Sequence, residues 1–224
     1  GAREGRFGIK GEKKSLVPFA ASSIPLVTLG TFLLWFGWFG FNGFSQLAMG
    51  TFDDVNAINK IAVNTHLAGS AGVITGAVLT RLLGGKTDII MMLNGALAGL
   101  VAITAEPLTP TPLLAILIGS IGSVIMYFGT KFLEKQKLDD VVGAIPVHMF
   151  AGIFGTLVVP MSNPETNFGT QFQGVISVCL FSFVLSYILF KVMKKTIGIR
   201  ISKEAEKLGT DKAEIGVLAY SIRD

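Results

Sequence analysis

Two histidines, His66 and His148, lie within long apolar stretches of this 224-residue chain and are the side chains best suited to proton chemistry. The stretch from Val141 to Pro160 contains His148 and no charged residue. Ionisable groups inside membrane spans are rare and usually face a pathway or a cavity. An imidazole exchanges protons near neutral pH, but in a dry pore it would be neutral because desolvation disfavours the charged form. His148 is therefore a candidate pore residue, and a structural histidine bonded to a neighbouring carbonyl is the alternative.

The residues around His148 favour a perturbed helix, whereas those around His66 favour packing. Pro146 removes one backbone donor two residues before His148, and Gly152 follows one turn after it. His66 lies with Asn64 in a segment of small residues, where we expect both side chains to hydrogen-bond between helices rather than touch a substrate. Four glycines have the spacing that lets membrane helices approach closely, and they are predicted to form packing surfaces: Gly72, Gly76, Gly95 and Gly99.

The densest aromatic cluster lies between Leu34 and Ser45. It could be the interfacial belt in which Trp and Tyr are enriched. It could equally be a cation site, because aromatic faces attract ammonium-type ions by about 0.5–2 kcal/mol, most strongly when desolvated. Asn42 and Ser45 add hydrogen-bonding atoms, and composition alone does not separate the two interpretations. The aromatic residues concerned are Trp35, Trp38, Phe39, Phe41 and Phe44.

The composition is that of a membrane protein. Hydrophobic residues make up 50% of the chain and charged residues only 15%, whereas soluble domains have about 25% charged residues. The 27 glycines agree, because glycine is frequent in membrane helices. The single cysteine, Cys179, excludes a disulfide framework within the chain. Nothing in the sequence predicts a metal site, a cofactor or an enzyme.

Six segments are apolar and near the length of about 20 residues that crosses the hydrocarbon core. A soluble helical core would need polar faces that these segments lack. The third is short and rich in glycine, so we expect it to pack among the others. The predicted domains are a cytoplasmic loop at residues 1–24, a transmembrane domain at 25–200 and a cytoplasmic tail at 201–224. The predicted spans are Pro25–Leu47, Ile61–Thr80, Ile89–Ala105, Leu113–Leu133, Val141–Val159 and Phe172–Phe190.

Basic residues are concentrated in alternate loops, as they are in cytoplasmic loops of membrane proteins. Both ends of this chain are therefore predicted to be cytoplasmic. Topology explains the net charge of +4, so we expect no nucleic-acid partner. The opposite loops are Thr51–Asn59, Glu106–Thr111 and Met161–Gln171. They have no basic residue except Lys60 at the edge of a span, and they are rich in turn-forming residues. Ser202–Gly209 is predicted to form a short helix ended by glycine.

These segments together resemble the ammonium transporter (Amt/Rh) family. Leu33–Gly43 is very similar to the family's sixth transmembrane helix, and the opening Gly1–Gly8 resembles the loop before it. The ending Gly198–Tyr220 resembles the family's cytoplasmic tail. The similarity runs the whole length of the chain but covers only family spans six to eleven, so we expect the chain to be part of a larger protein. Three further blocks match in order: Val63–Ala68, Leu93–Thr104 and Leu138–His148.

The resemblance implies an all-α polytopic membrane fold in which this chain supplies the second inverted repeat and the final helix. It also implies a homotrimer with one pore in each subunit, the N-terminal half of the transporter as partner, and ammonium or ammonia as substrate. Ammonium would lose its proton, neutral ammonia would cross a hydrophobic pore in the plasma (inner) membrane, and a buried histidine pair would relay protons.

Five residues take roles from this resemblance. Phe41 would be one of two stacked phenylalanines that close the outer pore, and Trp38 would support the outer wall. Ser45 would help to bind ammonium in the outer vestibule. Thr104 would line or support the pore, and His148 would be the second histidine of the pair.

The chain departs from the family pattern at three positions. The family usually has Asp five residues before the pore histidine, where this chain has Gly143. It usually has Gly directly after that histidine, where this chain has Met149. In the tail, Ile215 stands where His is common. The first two departures concern pore geometry, and the third concerns regulation by the tail.

Two other function classes use the same fold. One is an ammonium sensor that couples the pore domain to cytoplasmic signalling, and the other is a non-conducting assembly subunit. The tail could also bind a nitrogen-status signalling protein of the PII type, because its acidic residues argue against a polybasic lipid anchor. Measured ammonium flux would separate a transporter from the other two classes.

Overall fold

The computed structural model describes residues 1–7 and 21–219 of the chain. The described residues contain no β-strand, and each of the six predicted spans overlaps an apolar helical segment. Most segments are single α-helices, and the fifth changes its winding along its length. The α-helices are α1 (Ile24–Phe44), α2 (Phe52–Gly84), α3 (Ile89–Thr104), α4 (Pro112–Lys135), α5 (Ala151–Val158), α6 (Phe168–Thr196) and α7 (Lys203–Leu208).

Four helices are long and apolar enough to cross a membrane, namely α1, α2, α4 and α6. The remaining two apolar segments, α3 and Ile145–Met161, are shorter. At a rise of about 1.5 Å per residue, the 16 residues of α3 extend less than the hydrocarbon core of about 30 Å. Seven of those residues are buried, so α3 is packed among other helices as predicted. The chain is an all-helical, multi-pass membrane protein.

The second helix starts earlier than the sequence suggests. Thr51–Asn59 was expected to be a loop because it is rich in turn-forming residues, but α2 begins at Phe52 and this prediction is wrong. Thr51 accepts a hydrogen bond from the Asp54 N–H at 3.1 Å, and Asp54 accepts one from the Thr51 N–H at 3.0 Å. This capping box satisfies backbone donors at the helix start, so polar residues extend α2 beyond its apolar part.

The predicted glycine surfaces are confirmed as the crossing of α2 and α3. A Cβ added to Gly72 would collide with the carbonyl oxygen of Gly95, and one added to Gly99 would collide with that of Ala68. The Ser123 hydroxyl of α4 donates to the Gly72 carbonyl at 2.9 Å in a buried setting. Small residues therefore bring the backbones of three helices into contact, which is the usual means of association in lipid.

The chain forms two compact units. The larger comprises Ile24–Leu133 and Asp140–Val175, and the smaller comprises the described residues of Gly1–Ser23, Glu134–Asp139 and Ile176–Asp224. The larger unit holds the α2–α3 crossing and the cavity described below. Residues 8–20 of the predicted cytoplasmic loop and residues 220–224 of the predicted tail lie outside the described residues.

The smaller unit is held by charged hydrogen bonds. The Arg3 guanidinium donates to both carboxylate oxygens of Asp139 at 2.8 Å, and the Arg3 backbone N–H adds a third bond at 2.9 Å. These bonds lower the pKa of Asp139 to about 2. The Glu206 carboxylate accepts hydrogen bonds from the Glu4 backbone N–H and from the Arg200 guanidinium. Both contacts lower the pKa of Glu206. Helix α7 begins with Ser202 as its cap and ends at Gly209, as predicted.

Candidate functional site: a cavity beside His148

His148 lies in a π-helical turn, Ile145–Phe150, that precedes α5. Before this turn the Asp140 carboxylate accepts hydrogen bonds from the N–H groups of Gly143, Ala144 and Ile145, at 2.7–3.0 Å. Pro146 has no N–H to donate and is incompatible with an uninterrupted α-helix. The predicted perturbation by Pro146 is therefore present as a wider turn, and such turns are frequent at functional sites.

A cavity of about 330 Å³ adjoins His148 in the larger unit. Helix α1 contributes an indole and a phenyl ring, α3 contributes an aliphatic side chain and a hydroxyl, and the fifth segment contributes His148 and the residues one and two turns after it. Among the residues the structure describes, no charged side chain lines the cavity, and its polar groups are hydroxyls, an indole N–H and the imidazole. The lining residues are Trp38, Phe41, Val101, Thr104, Ala105, His148, Gly152 and Thr156.

Four of the five predicted site residues meet at this cavity: Trp38, Phe41, Thr104 and His148. The sequence placed these residues on three different segments, so their convergence depends on the tertiary fold. The four side chains line the same cavity. Their roles, which were inferred from the family resemblance, remain predictions.

Trp38 and Thr104 form the best-defined polar contact at the cavity. The Trp38 indole N–H donates to the Thr104 hydroxyl oxygen at 2.7 Å. That hydroxyl donates its own proton to the Leu100 carbonyl at 2.6 Å, within α3. Thr104 is thus oriented by its own helix and fixes the ring of Trp38, which is tilted by 56° against Phe41 at a centroid separation of 6.0 Å. The pair holds the aromatic wall of the cavity in one orientation.

Ser45 does not line the cavity. It follows the end of α1, one turn after Phe41, and its hydroxyl donates to the Phe41 carbonyl at 2.9 Å. Because the hydroxyl proton is used in this bond, the lone pairs of Ser45 remain exposed as acceptors. Phe41 itself is exposed over 65% of its surface. Ser45 and Phe41 therefore lie next to each other at the end of α1, and of the two only Phe41 lines the cavity.

His148 is exposed toward the cavity rather than enclosed within this chain. Within the described part of the chain, neither ring nitrogen has a hydrogen-bond partner. A structural histidine would be expected to bond a neighbouring carbonyl, and this contact is absent among the residues the structure describes. Both nitrogens are therefore available to whatever occupies the cavity.

His66 and Asn64 make different kinds of contact. The Asn64 amide was predicted to bond to another helix. It instead donates to two carbonyls in the loop between α3 and α4, those of Pro107 and Pro110, at 2.9 and 2.8 Å. His66 differs from the prediction because its contacts are aromatic, with ring centroids 5.6 Å from Trp35 and 6.2 Å from Phe39. Aromatic neighbours on α1 thus take the place of a hydrogen-bonding partner.

Three cavity residues, Val101, Ala105 and Thr156, were not singled out from the sequence. Thr156 follows His148 by two helical steps of four residues, with Gly152 between them, so the three share one face. This spacing was the available signal for Thr156. Val101 carried no such signal, because an aliphatic residue in an apolar span is ordinary.

The departure at Gly143 has a structural correlate. Gly143 has a φ of +80°, which L side chains rarely adopt, and a Cβ there would lie 2.8 Å from the side-chain nitrogen of Asn94. The Asn94 amide donates to the Val142 carbonyl at 3.0 Å beside it. In this chain the turn before His148 therefore suits glycine, and Asp140 supplies the carboxylate that caps it.

The fold and the cavity together define a multi-pass helical membrane protein with an uncharged, aromatic-walled site between its helices. The model of the Ammonium Transporter Family matches residues 1–220, and the chain belongs to that family. Ammonium transporter Amt2 of Archaeoglobus fulgidus is 38% identical over 240 residues, which cover 98% of this chain and 50% of that protein.

Solved structures agree with this assignment. The structure of a protein named Sensor Amt Protein has a TM-score of 0.84 and 32% identity, and the match covers 96% of this chain and 54% of that one. Candida albicans Mep2 has a TM-score of 0.75 and 26% identity, covering 87% of this chain and 46% of Mep2. The chain thus spans about half the length of the relatives it matches, and that half is their C-terminal one.

Proposed function

We propose that this chain is the C-terminal half of a protein that carries ammonium nitrogen across a membrane, and that the cavity beside His148 is its part of the path. The observation that carries the proposal is the cavity lining. It combines an oriented indole, a phenyl ring and an imidazole with free nitrogens, and none of the described lining residues is charged.

Ammonium differs from potassium in chemistry more than in size or charge. Ammonium donates hydrogen bonds and can lose a proton, and potassium can do neither. The exposed lone pairs of Ser45 and the faces of Phe41 and Trp38 offer an acceptor and π-electron density, which together favour a hydrogen-bonding cation. Selectivity at the outer end of α1 follows from these groups.

Passage beyond this point requires loss of charge. An unpaired cation in an apolar, uncharged cavity is very costly, whereas neutral ammonia is tolerated and can bond to the free nitrogens of His148. We infer that ammonium gives up its proton near Phe41 to a relay that includes the His148 imidazole, and that neutral ammonia passes His148. The relay carries the proton along the same path, and ammonia is protonated again at the far end.

The rest of the path lies in the N-terminal half that this chain would join. Transporter sites of this kind form between two repeats, which agrees with a His148 exposed on this chain. By resemblance the assembly is a homotrimer in the plasma (inner) membrane. The distribution of lysine and arginine supports a cytoplasmic location for both ends of this chain.

Phe41 and Ser45 provide the test of the proposed path. In the complete protein, Ser45→Ala removes a hydrogen bond to a charged ligand, worth about 1.5–3 kcal/mol, so the apparent KM for methylammonium uptake should rise about tenfold or more. Phe41→Ala should change the maximal flux or the selectivity instead. Leu34→Ala, an exposed change on α1 outside the cavity, is the control. Wild-type uptake in both site variants would mean that the cluster is only an interfacial belt.

A sensor is the alternative function, because one protein of similar structure is named Sensor Amt Protein. A sensor would bind ammonium at the same groups but would signal through a cytoplasmic module. Flux separates the two: a strain without its own ammonium transporters should gain methylammonium uptake from the complete protein if it is a transporter. Binding without uptake would favour the sensor.

The tail is the proposed regulatory segment, with a PII-type signalling protein as its partner. Its helix α7 presents acidic and basic residues together rather than a uniformly basic face. Removing residues 202–224 should alter transport or its regulation without preventing membrane insertion, and unchanged regulation would contradict the role.

A further inference from the structure

The second half of α6 carries a groove that the proposed transport path does not use. The groove has a volume of about 740 Å³ and lies within the smaller unit. Its helical residues recur at intervals of three and four, so they form one face of α6. The lining residues are Phe183, Ser186, Tyr187, Phe190, Lys191, Lys194, Lys195 and Ile199.

The first part of this face is aromatic. Phe183 and Tyr187 are stacked at a centroid separation of 6.2 Å with 15° between their planes, and Phe190 continues the face one turn later. All three side chains are more than half exposed within this chain. They belong to a helix long and apolar enough to cross a membrane, which would put this surface at the depth of lipid acyl chains.

The second part of the face is cationic. Lys191, Lys194 and Lys195 lie within about one helical turn, and like charges at such spacing repel one another. None of the three forms an ion pair with a residue in the described ranges 1–7 and 21–219. The ammonium group of Lys191 instead lies 5.4 Å from the ring centroid of Tyr187. Nearby Arg200, in contrast, is paired with Glu206 at 2.9 Å.

We propose that this groove binds one anionic phospholipid, with its phosphate at the three lysines and an acyl chain along Phe183, Tyr187 and Phe190. The dimensions agree. At about 1.5 Å per residue, the face from Phe183 to Lys191 rises about 12 Å, which is close to the thickness of one leaflet's hydrocarbon, about 15 Å.

The arrangement selects a lipid over other anions. A soluble phosphate would use the lysines and leave the aromatic part without a role. An acidic peptide would have to carry polar backbone into the hydrocarbon region, which is strongly unfavourable without partners. An anionic lipid neutralises the lysines and covers the aromatic face at once.

Lipid binding to the purified complete protein tests this. Native mass spectrometry would compare phosphatidylglycerol with phosphatidylcholine of the same chains, and with soluble glycerophosphoglycerol. Each lysine near the membrane surface contributes about 1 kcal/mol toward anionic lipid, which is about fivefold in affinity. The variant K191Q/K194Q/K195Q should therefore bind one phosphatidylglycerol about 100-fold more weakly.

Matched variants separate the groove from general charge. K135Q/K137Q/K207Q removes the same charge outside the groove and should leave this binding within about twofold of wild type. Phe190→Ala should weaken lipid binding, whereas Leu189→Ala on another face of α6 should not. Equal binding of phosphatidylcholine, equal loss in both triple variants, or tight binding of glycerophosphoglycerol without acyl chains would each overturn the proposal.

Discussion

Replacing Thr104 with Val tests whether the Trp38–Thr104 hydrogen bond holds the cavity in its working geometry. Valine has nearly the shape of threonine but cannot accept the indole N–H, which now donates at 2.7 Å. A lost hydrogen bond costs about 0.5–1.5 kcal/mol, and a fully buried donor left unpaired costs about 1–3 kcal/mol. Trp38 is half-buried, so water can partly replace Thr104, and about 1 kcal/mol is expected.

That free energy corresponds to about a fivefold change. Initial rates of methylammonium uptake by the complete protein, corrected for its amount in the membrane, should therefore fall about fivefold in Thr104→Val. Thr104→Ser keeps the hydroxyl and should stay near wild type. Thr156→Val removes another cavity hydroxyl, which donates to the Gly152 carbonyl of its own helix, and it should change uptake less.

A double-mutant cycle makes the test specific to the contact. Trp38→Phe removes the indole donor, so adding Thr104→Val to that variant should cost little more, and the coupling energy should be about 1 kcal/mol. If Thr104→Val lowers uptake equally with Trp38 or Phe at position 38, Thr104 acts independently of the indole and the reasoning is refuted.

Three further predictions concern stability. Gly72→Ala should destabilise the protein in detergent by about 1–3 kcal/mol, because the added Cβ meets the Gly95 carbonyl. Gly30→Ala in α1 should not destabilise it, because the space around that Cβ is open. Equal shifts of the melting temperature in the two variants would contradict the close crossing of α2 and α3. Asp139→Asn should lower the free energy of unfolding by about 2 kcal/mol near neutral pH. Because the pKa of Asp139 is lowered from 3.8 to about 2, this difference from wild type should vanish as the pH falls through that range. A pH-independent difference would exclude the ion pair as its cause. Gly143→Asp should lower thermal stability by about 1 kcal/mol through its left-handed backbone, and an unchanged midpoint would show that the turn adapts.

The spans were predictable because their signal is local and strong. A membrane helix needs about 20 apolar residues whatever its neighbours are, and each predicted span contains a helical segment. Helix ends were less predictable, because they depend on single hydrogen bonds such as the reciprocal pair of Thr51 and Asp54. The same polar residues form turns in one context and caps in another.

The site was predictable only in part. His148 stood out as an ionisable residue in an apolar span, and Pro146 predicted the altered helix around it. The convergence of Trp38 and Thr104 was not available from spacing, because it depends on how α1 packs near α3, and their roles rested on resemblance. The aromatic environment of His66 was missed for the same reason. The roles of all five predicted residues, Ser45 and Phe41 among them, remain predictions.

The most direct test of the central claim is transport through a complete protein that carries His148→Ala. Proton-coupled ammonium current should fall strongly while ammonium still binds at Ser45, and potassium should compete or leak because selectivity then rests on the outer groups alone. Met149→Ala, beside His148 but outside the cavity lining, should keep wild-type current. Wild-type current and unchanged ammonium-over-potassium selectivity in His148→Ala would contradict the account, because His148 would then be a structural residue and the cavity beside it would not be the path.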